Sequence, residues 1–431
     1  MSSAVSARKQ SVYQSPESVP QFRFLPADLQ KEISTASSVL PFRTNSYITD
    51  ELIDWGNIPD DPLFQSNFPQ KGMVIEDDYN RLRELLLTGA DSNVMESAVN
   101  RARMHLLPNE SDTAPVSLPT INNRPAPGIC HQFRETILAF PLPAVECFSI
   151  CTYCYRWMKH CGAGRHFCCP DGDLPALYLR EHPEVSDIQI TGGDPMVMNA
   201  EELQRIIAPL LEVESLETIR FSTRALSWWP CRFTTDSDAD VLLRVFERIS
   251  DAGKQCAIMV HVTHPRELST DTAMLAVRRI RSTGATIYSQ APILRQINDN
   301  AATLKRLLKK QVRLGIIPYY LFLDSDAGPR DYFRLPLSAA VDLFKETMQQ
   351  VSGLARTVRG PVIYTAHYKI QIDDVLHSDG RKYFLLKYLE STDPSLKGEC
   401  FLADYDESAV RFDNLTLHTV TNDSVARFVT G

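Results

Sequence analysis

SDIQITGGDPMVMNAEELQRIIAPLLEV, residues 186–213, holds in one stretch the parts that decide the fold. SDIQIT (186–191) is a short β-branched run and reads as a strand. NAEELQRIIAPLLEV, with apolar residues at three-to-four spacing, reads as a helix, and TGGDP, Thr191 to Pro195, is the turn between them. Outward from this unit the rhythm repeats. ETIRFST (217–223), QCAIMVHV (255–262), ATIYSQ (285–290), IIPYYLFL (316–323) and GPVIYTA (360–366) read as strands. DADVLLRVFERISDAG, TDTAMLAVRRIRSTG, NAATLKRLLKKQVRLG and LSAAVDLFKETMQQVSG read as helices, and each ends at a glycine suited to a C-cap. Strand alternates with helix at intervals of roughly thirty residues, so right-handed crossovers give a parallel sheet, open or rolled into a full or partial barrel. The strand ends carry TGGDP, STR, HVTHP, SQ, DSD and AHYK, all on one rim, the rim where parallel barrels place their active sites. Polar loop starts alone account for about three of the six.

The whole chain, 431 residues with 44% hydrophobic content, is long enough to bury a large core. No apolar run of membrane-spanning length and no apolar leader stands in the N-terminus MSSAVSARKQSVYQSPES, so the expected location is the cytoplasm. A formal net charge of −8 without blocks of like charge argues against nucleic acid and anionic membrane as partners and favours small molecules. Residues 1–20 read as a disordered polar tail and residues 21–114 as a helical region, with LPADLQKEIST, TNSYITDELIDW and IEDDYNRLRELLLTGA amphipathic. PVSLPTINNRPAP (115–127) reads as a linker into the core, which runs to 369, and 370–431 as a short β-rich extension.

Of ten cysteines, six lie between Cys147 and Cys169, while Cys130, Cys231, Cys256 and Cys400 are scattered and read as buried small hydrophobes. ECFSICTYCYRW (146–157) sets Cys147, Cys151 and Cys154 in a C-x₃-C-x₂-C spacing. Three thiolates can hold a [4Fe–4S] cluster and leave one iron for a substrate or cofactor, whereas a structural zinc site is closed by a fourth ligand. Zinc closed by Cys161, His160 or the Cys168–Cys169 pair is the competing reading. TGGDP lets backbone approach a charged ligand closely, although a glycine doublet alone is usually only a tight turn.

Together these motifs resemble the radical S-adenosylmethionine (SAM) enzymes, and within them the lysine 2,3-aminomutase family, which also uses pyridoxal 5'-phosphate (PLP). The likeness runs from about Asp61 to Lys369 through DPLFQSNFP, C-x₃-C-x₂-C-x-R, TGGDP, IRFSTR, HVTHPRE, SQAPIL, PYYLF, YFRLPLS and VSGLAR, in that order. It implies a partial (β/α)₆ barrel behind a helical N-terminal region. It makes Cys147, Cys151 and Cys154 the cluster ligands, and Gly192, Gly193, Asp194, Thr223, Arg224, His261 and Gln290 the SAM lining. Arg224 also reads as a salt-bridged rim residue, and His261 or His264 as a core histidine. Arg156 is similar to the arginine that grips the substrate α-carboxylate, and Lys369 to the lysine that holds PLP; a plain surface lysine is the alternative for Lys369, since YTAHYK replaces a glycine-rich approach. In HQFRET one phosphate-binding arginine position reads Gln132, which leaves Arg134 for that role.

The resemblance implies an isomerase of the intramolecular aminotransferase type. A 5'-deoxyadenosyl radical abstracts a β-hydrogen from the amino acid held as a PLP aldimine, and the amino group moves from the α- to the β-carbon. A one-electron donor such as flavodoxin or ferredoxin would serve it, and a homo-oligomer is left open. The family's two aspartates for a lysine ε-ammonium align with Ser325 and Val362, so a non-lysine amino acid is the expected substrate, with Ser325 at the substrate site and Asp324, Asp326 and Arg330 nearby. Competing readings are a PLP-independent radical SAM enzyme, lysine 2,3-aminomutase itself, an enzyme acting on a protein-bound residue, and a non-catalytic metal or electron-transfer protein.

Overall fold

The computed structural model describes residues 10–107, 119–157, 167–170, 172–323, 327–378 and 380–419. Its centre is a twelve-stranded sheet in sequence order: β1 (Ile129–Phe133), β2 (Thr136–Ala139), β3 (Asp187–Ile190), β4 (Thr218–Thr223), β5 (Gln255–His261), β6 (Thr286–Ile293), β7 (Ile317–Leu323), β8 (Arg359–Tyr364), β9 (Tyr368–Ser378), β10 (Arg381–Ser391), β11 (Cys400–Asp404) and β12 (Leu417–Thr419). From β2 to β8 neighbouring strands are parallel; β1 and β9–β12 flank them antiparallel. Helices α1 (Ala27–Val39), α2 (Glu76–Thr88) and α3 (Ser92–His105) precede the sheet. After β2 come α4 (Leu174–Glu181), α5 (Ala200–Leu211), α6 (Ala239–Asp251), α7 (Asp271–Ser282), α8 (Ala301–Leu314) and α9 (Leu337–Gln349).

The six strands expected after the cysteines are present, but a seventh parallel strand, β2, comes before them. The cysteine loop therefore leaves the C-terminal end of a strand and joins the same rim as TGGDP. The strand order is linear, with no ladder returning from β8 to β2 among the described residues. Instead the sheet curls until side chains meet: the Tyr364 hydroxyl on β8 donates to Gln132 Oε1 on β1 at 3.0 Å, and Lys397 pairs with Glu135 at 2.6 Å.

Alternation along the strands explains why the curl encloses a polar space. On β3 and β4, Ile188, Ile190, Ile219 and Phe221 are buried in one cluster with helix residues such as Leu203, Ile207, Leu242 and Phe246. The intervening Gln189, Arg220 and Ser222 face inward. A closed parallel barrel normally fills its interior with apolar side chains, so polar residues at alternate positions signal a ligand space. Local chemistry supports the frame. Asn199 caps α5, accepting from the Glu202 amide at 2.9 Å while Glu202 returns the bond, and Gly315 ends α8 in the left-handed region. Gly353, expected to cap α9, does not adopt positive φ, because that helix ends at Gln349.

The N-terminal region carries α1–α3, and where composition suggests a tail to residue 20, Val12–Tyr13 pairs with Thr44–Asn45 and Val19 is buried beside Phe22, Ile33 and Phe64. No helix of the described residues is long and apolar enough to cross a membrane.

Candidate active site

The cysteine loop is held from both sides by aromatic packing and by backbone. Phe148 and Cys151 lie against a cluster containing Phe42, Phe64, Phe68 and Trp228, while Tyr153 and Trp157 belong to a second cluster with Met73, Tyr79 and Phe333. DPLFQSNFP supplies the anchor. Asp61 caps the short helix Pro62–Asn67, accepting from the amides of Leu63 and Phe64 at 3.0 and 2.9 Å, and that helix offers the Gln65 and Ser66 carbonyls to Thr152 at 2.7 and 3.0 Å. Arg43 donates to the Cys147 carbonyl at 2.6 Å. A loop with so many fixed backbone partners presents its thiols in one arrangement.

All three thiols line a cavity of about 280 Å³ enclosed by the curled sheet. Burial pushes the Cys147 thiol well up, reinforced by Cys154, Asp194 and Cys151, while Arg156 opposes; burial likewise raises Cys151, with Arg224 opposing. Neighbouring thiolates that repel one another suit a cation between them. Cys169 is not in this group, since its thiol donates to the Gly128 carbonyl at 3.1 Å in the core. His160 and Cys161 lie outside the described residues. Among those described, one trio of possible ligands, His131, His182 and Glu184, has its donor atoms within 4.8 Å of one another. Both His131 ring nitrogens are already engaged, by Tyr178 Oη at 2.8 Å and the Arg134 carbonyl at 3.2 Å.

TGGDP packs against the entry to the cysteine loop. The Gly193 amide donates to the Ala144 carbonyl at 2.7 Å, and the Asp194 amide to Glu146 at 3.1 Å. A Cβ at Gly192 would stand 2.3 Å from the Ala144 carbonyl oxygen, and one at Gly193 2.4 Å from that of Glu146. The doublet is therefore demanded first by close approach of protein backbone. Asp194 is 3% exposed, and its carboxylate accepts from the Thr223 hydroxyl at 2.8 Å and the amides of Met196 and Arg224 at 2.9 and 2.7 Å. Burial raises its pKa to about 6 against these donors.

Arg224 lies flat over Trp228, 3.5 Å from the ring centroid, and its guanidinium reaches Glu267 at 3.1 Å, Thr263 at 3.3 Å and the Tyr153 hydroxyl. It is both a salt-bridged residue and a cavity-lining one. Burial first, then the Arg224 charge, hold His261 well below the ordinary histidine range, so its imidazole is neutral. Gln290 lines the same space. Arg156 Nη1 donates to Thr191 Oγ1 at 3.0 Å and the Gly192 carbonyl at 2.8 Å, and the residue lines the cavity.

Lys369 completes the enclosure. It pairs with Tyr364 at the β8–β9 corner, and its ammonium lies 5.2 Å from the ring centres of both Phe133 and Tyr320. Burial, helped by the charges of Arg220 and Arg359 against Glu390 and Asp187, lowers its pKa to about 8. It is not a surface lysine. Arg220 itself is bound by Asp187 through contacts of 2.8 and 2.6 Å.

Arg134 is exposed and absent from the cavity wall, contrary to the phosphate role expected of it: a register shift after His131 and the turn at Arg134–Glu135 carry it outward. Val362 is buried in β8 away from the cavity lining, and Ser325, with Asp324 and Asp326, lies outside the described residues. Sequence reasoning passed over Tyr320, Arg220 and Asp187; for Arg220 and Asp187 the signal was polar residues at every second position of β3 and β4, and IPYYLFL carries none for Tyr320.

Over 400 residues, 91% of this chain, it is 28% identical to a putative L-lysine 2,3-aminomutase of Aquifex aeolicus (strain VF5), covering 92% of that protein. Over nearly its whole length the chain is thus similar to the lysine 2,3-aminomutase family. Another member, a putative L-lysine 2,3-aminomutase of Treponema pallidum (strain Nichols), is 33% identical over 233 residues, 53% of this chain and 61% of that one. The L-lysine 2,3-aminomutase of Clostridium subterminale is 25% identical over 236 residues, 53% and 52%. The chain thus matches these last two family members over little more than half their length. No family model matches. Among solved structures, Streptococcus suis SuiB bound to precursor peptide SuiA aligns over 60% of this chain and 52% of its own at 12% identity and a TM-score of 0.37, too distant to carry an argument about the site.

Proposed function

We propose that the chain is a radical SAM aminomutase that moves the α-amino group of an L-amino acid other than lysine to its β-carbon. The observation that carries this reading is a single cavity lined both by Cys147, Cys151 and Cys154 and by a desolvated lysine. When bound, a [4Fe–4S] cluster with SAM supplies one-electron chemistry and PLP supplies an electron sink for the migrating nitrogen.

The chain's own residues would divide the work as follows. Cys147, Cys151 and Cys154 bind as thiolates, a state that burial disfavours at Cys147 and Cys151 until a cluster compensates it. Gly192, Gly193, Asp194, Thr223, Arg224, His261 and Gln290 line the SAM space; neutral His261 can accept or donate one hydrogen bond without adding charge. Lys369, with a pKa near 8, keeps a sizeable neutral fraction at neutral pH, and a neutral amine is what adds to an aldehyde. Arg156, in the cavity lining, offers a planar donor to an α-carboxylate. The buried rings of Phe133 and Tyr320 keep water from the Lys369 side of the cavity.

Against lysine as substrate stands the shortage of carboxylates. Among the described residues lining the cavity Asp194 alone has one, and its oxygens are occupied by Thr223 and two amides. A buried ε-ammonium there would go unpaired. One observation favours a PLP-independent radical SAM enzyme instead: Arg134 stands outside the cavity and leaves the phosphate without its expected partner. Anaerobic reconstitution with iron and sulfide, followed by product analysis over a panel of amino acids with PLP present or withheld, separates the readings. A β-amino acid formed only with PLP is the expected product; SAM cleavage indifferent to PLP would contradict the proposal.

A further inference from the structure

The Tyr320 hydroxyl is a buried polar group without a partner. The residue is 1% exposed, lies mid-strand in β7 between Gln290 and Arg359, and lines the cavity, yet its Oη makes no hydrogen bond. An orphaned hydroxyl costs stability unless something is meant to meet it. Burial raises its pKa most, and Tyr319 adds to the rise through its charge and a hydroxyl contact that keeps the proton on Tyr320, a contact that falls outside hydrogen-bond geometry. The phenol therefore keeps its proton and is available as a donor.

Its position says what it would meet. Two rings touch the Lys369 ammonium, those of Phe133 and Tyr320, each at 5.2 Å, and of the two only Tyr320 carries a polar atom. Arg220, Arg359, Asp187 and Glu390 also act on the amine. Arg220 and Asp187 are bound to each other, and Glu390 lies 3.5 Å from Lys397. An aldehyde that condenses with Lys369, its carbonyl oxygen leaving as water as the C=N bond forms, brings its ortho substituent next to that nitrogen. In a pyridoxal ring that substituent is an ionised hydroxyl.

We propose that Tyr320 is a positioning residue whose hydroxyl donates to the ring oxyanion of a pyridoxal cofactor joined to Lys369. This rests on the proposed role of Lys369. The bond stabilises the oxyanion, makes the linked C=N nitrogen less basic, and fixes the ring's tilt against β7.

The test is the visible absorption of the PLP-loaded full chain, titrated with pH. In Tyr320→Phe, which keeps the ring against Lys369, the band should change in wavelength and its titration midpoint should rise by about one pH unit, the tenfold that a hydrogen bond to a charged oxygen is worth. Incorporation of 3-fluorotyrosine at position 320, a stronger donor of nearly the same shape, should lower the midpoint and covers the case of a phenylalanine variant that takes up no cofactor. Variants with the wild-type spectrum and midpoint overturn the proposal, even if affinity for PLP falls, because a contact to the phosphate would change affinity alone. Wild-type protein that shows no band and no borohydride-trapped cofactor on Lys369 overturns the role of Lys369 itself.

Discussion

The cysteine wall and the lysine wall of the cavity are built in opposite ways. Cys147, Cys151 and Cys154 lie within eight residues of one loop, and backbone bonds from Arg43, Gln65 and Ser66 hold that loop in place. Lys369, Tyr320, Phe133 and Arg220 come from four strands spread over more than two hundred residues and meet only because the sheet curls. A contiguous loop could bind a cluster whatever happens across the cavity. The lysine wall depends on the fold as a whole.

That difference can be broken most forcefully at the thiols. Cys151→Ala should abolish SAM cleavage, read as 5'-deoxyadenosine formed under dithionite, yet leave PLP uptake by absorbance near the wild-type level. Lys369→Ala should do the reverse: amino-group migration falls by at least about a thousandfold, as expected for loss of a covalent anchor, while SAM cleavage without migration continues. Loss of PLP uptake in Cys151→Ala, or of SAM cleavage in Lys369→Ala, would mean that the walls are not separable.

Further predictions sharpen the contrast through energy and charge. Glu267 is fully buried and accepts from Arg224, the Thr263 amide and hydroxyl and the His264 amide. Glu267→Ala should cost about 3–5 kcal/mol in urea unfolding by stranding the Arg224 charge. The pH dependence of PLP capture should be carried by Lys369. Its folded pKa is lowered, so the reactive neutral amine accumulates as pH rises through about 8, and the capture rate should climb between about pH 7 and 9 and then level off. Glu390, the ladder partner of Lys369 on β10, favours the charged amine, so Glu390→Gln should move that midpoint down by less than about one unit.

What could be read in advance follows the same division. The strands, the helices and the cysteine loop are written in contiguous residues, with period-two and three-to-four patterns strong enough to place β3 to β8 within a few residues. The hairpin of β1 and β2 escaped because ICHQF and TILA are short and sit beside a proline-rich stretch that reads as linker. Arg134 was misplaced because a one-residue register shift, invisible in sequence, decides which way its neighbours face. Tyr320 and Arg220 escaped because a polar residue in a strand gains meaning only once the face it occupies is known to be enclosed. The early chain was read as a tail on its Ser and Gln content, whereas Val19 and Phe22 give it a place in the core.

The most direct test joins the two walls. An amino-acid substrate bearing deuterium on its β-carbon is supplied to the reconstituted protein with SAM and reductant, and the label in 5'-deoxyadenosine is measured by mass spectrometry. If one cavity serves both cofactors, deuterium should appear with PLP and wild-type Lys369 and should vanish when either is removed. Equal labelling in all three samples would show that the lysine wall takes no part in the radical chemistry, and would contradict the account.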